Sequence, residues 1–427
     1  MKIRTLLLGS AALAGLSTAG YAADLGVVTS LDVCDELGLS GLTISSDDNC
    51  LVITGKVSFE YDWGDYTPGR TYGSFRNTNN GNLYTVLDPT TPLDSNKGDV
   101  DAWLKFVGTA DSDFGPAKAV IKLISENQTG SSDWTVGIDE AWVGIGDTTM
   151  LMAGYKSSIF NQGDDVPLNY LGLFNSSSVN TGVGFMTTAA ATGGDVIQVV
   201  SNLGNGISVG GGLENLGSAF GTLTGVGVVS YAGDGITAHI STAFGANKGF
   251  VAPSTIGWKV HAGFTGAWDP IKVVGAISAD DTGYLSGLGS VSATFDMFTL
   301  AVSGEATNQG EWGVGGSATA KVTDGVTINL GGRFFHGVES AAGVAGNPYD
   351  VWQVEAALSA AVTETITLTG AIGATDTTIV GVVSPTVIYG TGGVAWAPGG
   401  GFTSSASLTV NSLGAYKAVF KAAKDIK

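Results

Sequence analysis

The side chains of Leu51 to Tyr61 sort onto two faces when they are taken alternately. Leu51, Ile53, Val57, Phe59 and Tyr61 fall on one side with Gly55 among them, and Thr54, Lys56, Ser58 and Glu60 fall on the other. Successive residues of a β-strand point to opposite faces, so the pattern predicts a strand with one apolar and one ionic face. The same period returns as Val100, Ala102, Leu104 and Phe106 against Asp101 and Lys105. It returns again as Ala117, Ala119, Ile121 and Leu123 against Lys118 and Lys122. Further along, Trp258, Val260, Ala262 and Phe264 oppose Lys259 and His261, Ile271, Val273 and Ile277 oppose Lys272, and Ile328, Leu330 and Phe334 oppose Asn329 and Arg333. One such strand suits any half-buried sheet. A succession of them, each near the roughly 9 to 11 tilted residues that cross a bilayer, suits a membrane barrel.

The links between these strands have two lengths. Gly233-Asp234-Gly235, Trp268-Asp269-Pro270, Thr323-Asp324-Gly325 and Thr363-Glu364-Thr365 are tight and carry turn chemistry. Residues 62–98, 157 to about 182, and 337–350 are long. Tight turns at one rim and long loops at the other predict an all-β, antiparallel, up-and-down transmembrane β-barrel. The strand tally runs from 16 to 20. Residues 180–225 are so rich in Gly, Thr and Ala that the period fails there, and Phe402 to Val410 with Tyr416 to Phe420 read as two strands or as one strand and a rim piece.

The N-terminus changes the setting. Lys2 and Arg4 precede an apolar run from Leu6 to Leu16 and then Gly20-Tyr21-Ala22, the three-part layout of a secretory signal with cleavage after Ala22. The run has about half the ~20 apolar residues of a membrane-spanning helix. Residues 23–427 then form one barrel domain, with 23–50 an N-terminal segment and 51–427 the barrel. Loss of Lys2 and Arg4 takes the formal net charge from -19 to -21, a balance that argues against nucleic acid as a partner. Charged residues are 13% of the chain and Gly reaches 66 of 427, with no collagen period and no calcium-roll nonapeptide. A single domain of this length exceeds an ordinary soluble core, whereas a one-layer wall around water does not meet that limit. A soluble sandwich with its bases exposed shares the periodicity, but the export signal, the scarcity of charge and the length weigh against it. Inside a dry core Lys56, Lys105, Lys118, Lys122, Lys259, Lys272 and Arg333 are costly; around a wet lumen they become a lining.

Cys34 and Cys50 are the two cysteines, with 15 residues between them. In an exported chain they are expected to pair, a link worth about 3 kcal/mol by chain entropy. A metal site there lacks histidine, and no metal or cofactor is expected. Only His239, His261 and His336 are available for acid–base work, and none sits in a nucleophile or zinc motif. The Gly-x-Gly pairs within residues 204–212 lack a strand-to-helix setting. The chain therefore does not read as an enzyme.

Two motifs carry a family likeness. Leu31-Asp32-Val33-Cys34-Asp35-Glu36-Leu37-Gly38, followed by Cys50-Leu51-Val52-Ile53-Thr54-Gly55-Lys56-Val57, resembles the N-terminus of the alphaproteobacterial outer-membrane porins. Asp139-Glu140-Ala141-Trp142-Val143-Gly144 with Ala153-Gly154-Tyr155-Lys156-Ser157-Ser158-Ile159-Phe160 is similar to the porin strand pair before the inward-folded third loop. The resemblance implies a homotrimer in the outer membrane of a Gram-negative cell. Each barrel has 16 strands, passes small hydrophilic solutes and ions by diffusion, and folds its third loop into the lumen. That loop holds Asp164 and Asp165, which then face Lys56, Lys105, Lys118, Lys122 and Arg333 across a constriction and set a transverse field. Alternatively, the two aspartates only solvate a surface loop. The acidic total points to a weak cation preference, and a plugged structural or adhesive barrel is the competing function. The ending departs from the family, whose barrels stop at an aromatic residue, whereas this chain runs on from Phe420 to Lys427.

Overall fold

The computed structural model describes residues 34, 37–39, 41–46, 48–65, 94–126, 135–160, 162–163, 166–174, 192–217, 222–247, 256–338, 348–379 and 385–427. The expected signal segment lies outside them. Alternation becomes strand along most of this length. β1 is the short Leu42–Ser45 and β2 is Asn49–Asp65, the segment with the clearest two-faced pattern. β3 (Asp94–Ala110), β4 (Ala117–Ser125), β5 (Gly137–Gly146) and β6 (Thr149–Lys156) follow, then β7 (Gly194–Gly204), β8 (Ile207–Glu214), β9 (Thr222–Gly233) and β10 (Ile236–Asn247). The next group is β11 (Ile256–Trp268), β12 (Ile271–Asp280), β13 (Leu285–Phe295), β14 (Phe298–Thr307), β15 (Trp312–Thr323) and β16 (Val326–Gly337). β17 (Tyr349–Ala361), β18 (Ile366–Ile379), β19 (Val387–Gly399), β20 (Phe402–Asn411) and β21 (Tyr416–Ile426) complete the chain.

All 21 strands of the described residues belong to one sheet. From β2 onward each pairs antiparallel with the next, and β21 returns to β2 with Tyr416 opposite Asp65 and Ile426 opposite Gly55. With β1 outside the ring, the barrel has 20 strands, not the 16 implied by the family resemblance. The tally of 16 to 20 contains this number and stayed open where alternation was unreadable. The glycine-rich stretch supplies β7, β8 and β9, and the C-terminal residues form two complete strands.

The polar residues after Phe420 are part of the wall. Lys421 lies opposite Glu60 and Lys424 opposite Val57, so the ending that departs from the family pattern is the closing seam. β1 lies end to end with β21, pairing Leu42 with Ile53 and Ser45 with Cys50, just beyond the point where β21 stops. Cys34 and Cys50 are joined with Cα atoms 5.0 Å apart, and both are buried. Cys50 shares the inner face with Lys56 and Glu60, so the bond holds Cys34 at that face beside the rim of tight links.

That rim is built from two-residue turns, including Asn205-Gly206, Asp234-Gly235, Asp296-Met297 and Asp324-Gly325. Asp234 and Gly235 take φ values of 52° and 76°, the left-handed pair that a tight hairpin matching strand twist requires. The opposite rim carries the long links 66–93, 126–136, 157–193 and 338–348.

Burial is inverted relative to a soluble protein. Phe59, Leu104, Ile121, Val143, Leu300, Val302, Leu330, Ile372 and Phe420 are exposed, while Gln198, Glu214, Ser241, His261, Ser278 and Ser303 are buried. The registers place the first set on the outer face and the second on the inner face. An apolar exterior, a polar interior and a ring without free edges make this a barrel of the transmembrane type.

Removing residues 421–427 deletes the partners of both Gly55 to Glu60 and Phe402 to Ser405. Unpaired backbone groups facing lipid cost several kcal/mol each. The truncated chain should therefore fail to form the SDS-resistant species whose gel mobility shifts on boiling; a normal shift would contradict closure at this seam.

Candidate functional site

The inner wall has two halves. One is covered by the link between β6 and β7, the third long link of its rim. Its described residues between 157 and 174 contact the inner wall or one another, so this part of the link runs inside the barrel as a strap.

Its root is clamped by a carboxylate. Glu214, fully buried at the end of β8, accepts hydrogen bonds from the N–H of Ile159 at 3.3 Å, the N–H of Gly193 at 2.6 Å and Gln198 Nε2 at 2.8 Å. Gln198 also donates to the Ser157 carbonyl at 3.1 Å. Both ends of the link are thus tied to one side chain. Ile159 and Phe160 pack on Val226, Val228 and Ala243 of the wall.

The far end is pinned across the ring. Leu168 N–H donates to Ser290 Oγ at 2.9 Å, Tyr170 N–H to Ser317 Oγ at 3.0 Å, and Ser303 Oγ to Asn169 Oδ1 at 2.6 Å. Leu173 seats among Val274, Ala276 and Leu288, and Phe174 among Phe335, Tyr349 and Val351. Arg333 donates to the carbonyls of Leu171 at 2.8 Å and Leu173 at 3.3 Å, and through Nε to Gln353 at 2.8 Å. Its guanidinium lies 4.1 Å from the Phe174 ring centre. Glu355 receives two phenols, Tyr170 at 2.7 Å and Tyr389 at 2.6 Å. Burial, and then the bond to Glu355, push the Tyr170 phenol well above the usual tyrosine range, so it stays a donor at any physiological pH.

The other half of the wall runs from β20 through β21 and β2 to β5 and carries charge in pairs. Lys417 meets Asp62 at 2.7 Å, Lys421 meets Glu60 at 2.7 Å, Lys97 meets Asp99 at 2.6 Å, Lys105 meets Glu140 at 3.0 Å and Lys122 meets Asp139 at 2.6 Å. Lys122 and Lys156 also lie 5.4 Å from the ring centres of Trp103 and Trp142.

The bases picked out from the sequence separate into two groups here. Lys56 lies in the ladder between Trp103 and Asp425, and Lys118 between Thr109 and Gly144. With Lys105 and Lys122 they occupy one stretch of wall, where the latter two have carboxylate partners on β5. Arg333 is on β16, away around the ring, and holds the strap. Asp164 and Asp165 lie outside the described residues. His239 and His261 face inward, and His336 pairs with Asp350 at 2.7 Å beside a long link. Among the described residues no group of three or more His, Cys, Asp or Glu is placed to hold a metal ion. The clamp and latch residues Glu214, Gln198, Tyr170 and Tyr389 were not singled out from sequence. A carboxylate ending a glycine-rich strand was the one available signal for Glu214.

No family model matches the sequence, and no curated protein matches it. The likeness to alphaproteobacterial porins therefore rests on the two short motifs. Among solved structures, a loop L8 deletion mutant of OmpT, an outer membrane protein of Vibrio cholerae, aligns with a TM-score of 0.44 at 9% identity, covering 89% of this chain and 100% of that one. In-vitro folded OmpT of Vibrio cholerae aligns with a TM-score of 0.44 at 9% identity, over 90% and 100%. A mutant Rh. blastica porin aligns with a TM-score of 0.38 at 12% identity, over 88% and 99%.

Hydrogen bonds from a charged donor are worth about 1.5–3 kcal/mol. Arg333→Met should therefore release Leu171 to Phe174 and make the folded protein cleavable there by chymotrypsin at least tenfold faster, with the barrel intact. An unchanged cleavage rate would show that Arg333 does not hold the strap.

Proposed function

We propose that this chain is an outer-membrane porin, a water-filled channel for passive diffusion of small hydrophilic solutes and ions. One observation carries the reading. The inward-facing pair Lys421 and Glu60, well within the strands of the seam, keeps 55% and 40% of its side-chain surface exposed to solvent. Charges at that depth need water beside them, and the apolar outer face leaves the lumen as its place. The strap covers the opposite wall and narrows the lumen beside this half.

The wall pairs its own charges, so a single-signed field from the bases is weakened at Lys105 and Lys122. This favours a weakly selective channel, with the acidic balance of the chain tilting it toward cations. Asp164 and Asp165 sit in sequence between Gly163 and Val166 of the strap and are proposed to line the constriction with Lys56, Lys105, Lys118 and Lys122. The trimer is proposed on the motif resemblance alone.

Planar-bilayer recording tests the reading. Reconstituted protein should insert in conductance steps grouped in threes, and folded protein that never conducts would support the plugged structural or adhesive barrel instead. Asp164→Asn with Asp165→Asn should lower the cation-to-anion permeability ratio; an unchanged ratio removes these residues from the constriction.

A further inference from the structure

Beneath the root of the strap the inner wall holds two histidines that solute passage does not require. His239 on β10 and His261 on β11 meet through Nε2 and Nδ1 at 2.9 Å, with ring centres 4.9 Å apart. Both are buried, and Phe160 lies over His261 with ring centres 6.3 Å apart. The charged groups facing this pocket are Lys259 on β11, Asp280 opposite it on β12, and the clamp carboxylate Glu214 on β8. Lys259 Nζ itself sits 5.0 Å from the Phe160 ring centre. The ladder neighbours of the two imidazoles on the flanking strands, Ser230 on β9 and Ser278 on β12, do not ionise.

A hydrogen bond between two imidazoles needs one nitrogen with a proton and one without. The neutral pair satisfies this, and so does the pair carrying one extra proton. When both rings are protonated every nitrogen is a donor, the contact becomes donor against donor, and two like charges face each other. Lys259 brings a further positive charge to the same pocket, where Asp280 and Glu214 supply the carboxylates. The backbones of β10 and β11 are locked in an eleven-pair ladder, so relief has to come from the rings turning toward the lumen. Phe160 occupies that direction.

We propose that the His239 and His261 pair is a proton-sensitive seat for the strap: double protonation displaces Phe160 and Ile159 and loosens residues 157–160. Its consequence for solute passage rests on the channel reading; the loosening itself does not.

Hydrogen exchange on the folded full-length protein in detergent, at pH 7.5 and pH 4.5 and corrected for intrinsic exchange, reads the seat without any conductance assay. Peptides covering 157–160 should lose protection about tenfold on acidification, equivalent to about 1.4 kcal/mol of easier local opening. Peptides covering 168–174 should not. His239→Gln with His261→Gln removes both charges and should abolish the pH response. His239→Gln alone, which leaves one imidazole against an amide, should abolish it as well. Unchanged protection in the wild-type chain, or an equal loss in either variant, would overturn the proposal. A barrel that never conducts but shows this exchange pattern would refute the channel and leave the seat standing.

Discussion

Backbone hydrogen bonding is the constraint on which the rest of this structure depends. In hydrocarbon every N–H and C=O has to find a partner within the protein, and a sheet does so only when it has no edge. The last strand therefore has to meet the first barrel strand along its length. Here it does so from Tyr416 opposite Asp65 to Ile426 opposite Gly55. Where β21 ends, β1 continues beside β2 as far as Cys50. The disulfide to Cys34 ties the segment preceding β1 to the same strand. Closure, its N-terminal extension and the covalent link thus all bear on β2.

Closure in turn fixes what each face can do. With the outside apolar, ionisable side chains are left to the inside, and the wall handles them in two ways. Along β21 and β2 to β5 they are paired with one another and stay wet. Beneath the strap they become hydrogen-bonding partners for a second layer of chain: Glu214 grips the root, and Arg333 and Glu355 grip the far end. The described part of the strap is thus held at two places, its root and residues 168–174, which defines its position over the wall. The same inner face carries part-exposed ion pairs on one side and serves as a packing surface on the other.

This division explains how much the sequence disclosed. β2, β3, β4, β11 and β16 were legible because their inner faces carry Lys56, Lys105, Lys118, Lys259 and Arg333 against apolar outer faces. Around β7 to β9 the inner face mixes Val196, Val226 and Val228 with Gly210 and Gly212 while the outer face includes Gly225 and Gly227, so the contrast between the faces fades and the period of two is hard to read. The tally stayed open between 16 and 20 for that reason, and the 16 taken from the family likeness is what the structure corrects. Tight turns such as Asp234-Gly235 were readable because their backbone demands particular residues. The latch at Arg333 was not, because its partners are carbonyls of Leu171 and Leu173, more than 150 residues away, which no local pattern reports. The carboxylate partners of Lys105 and Lys122 were hidden similarly: they lie on β5, a strand picked out for its family motif and not for its charge.

The central claim is that one face of each strand meets lipid and the other meets water. Spin labels placed singly at positions 56 to 60, in a chain with Cys34→Ser and Cys50→Ser and reconstituted in bilayers, test it directly. The account predicts that labels at Val57 and Phe59 collide mainly with oxygen dissolved in lipid, and that labels at Lys56, Ser58 and Glu60 collide with a water-soluble nickel chelate. Equal access of the chelate to all five positions would contradict it.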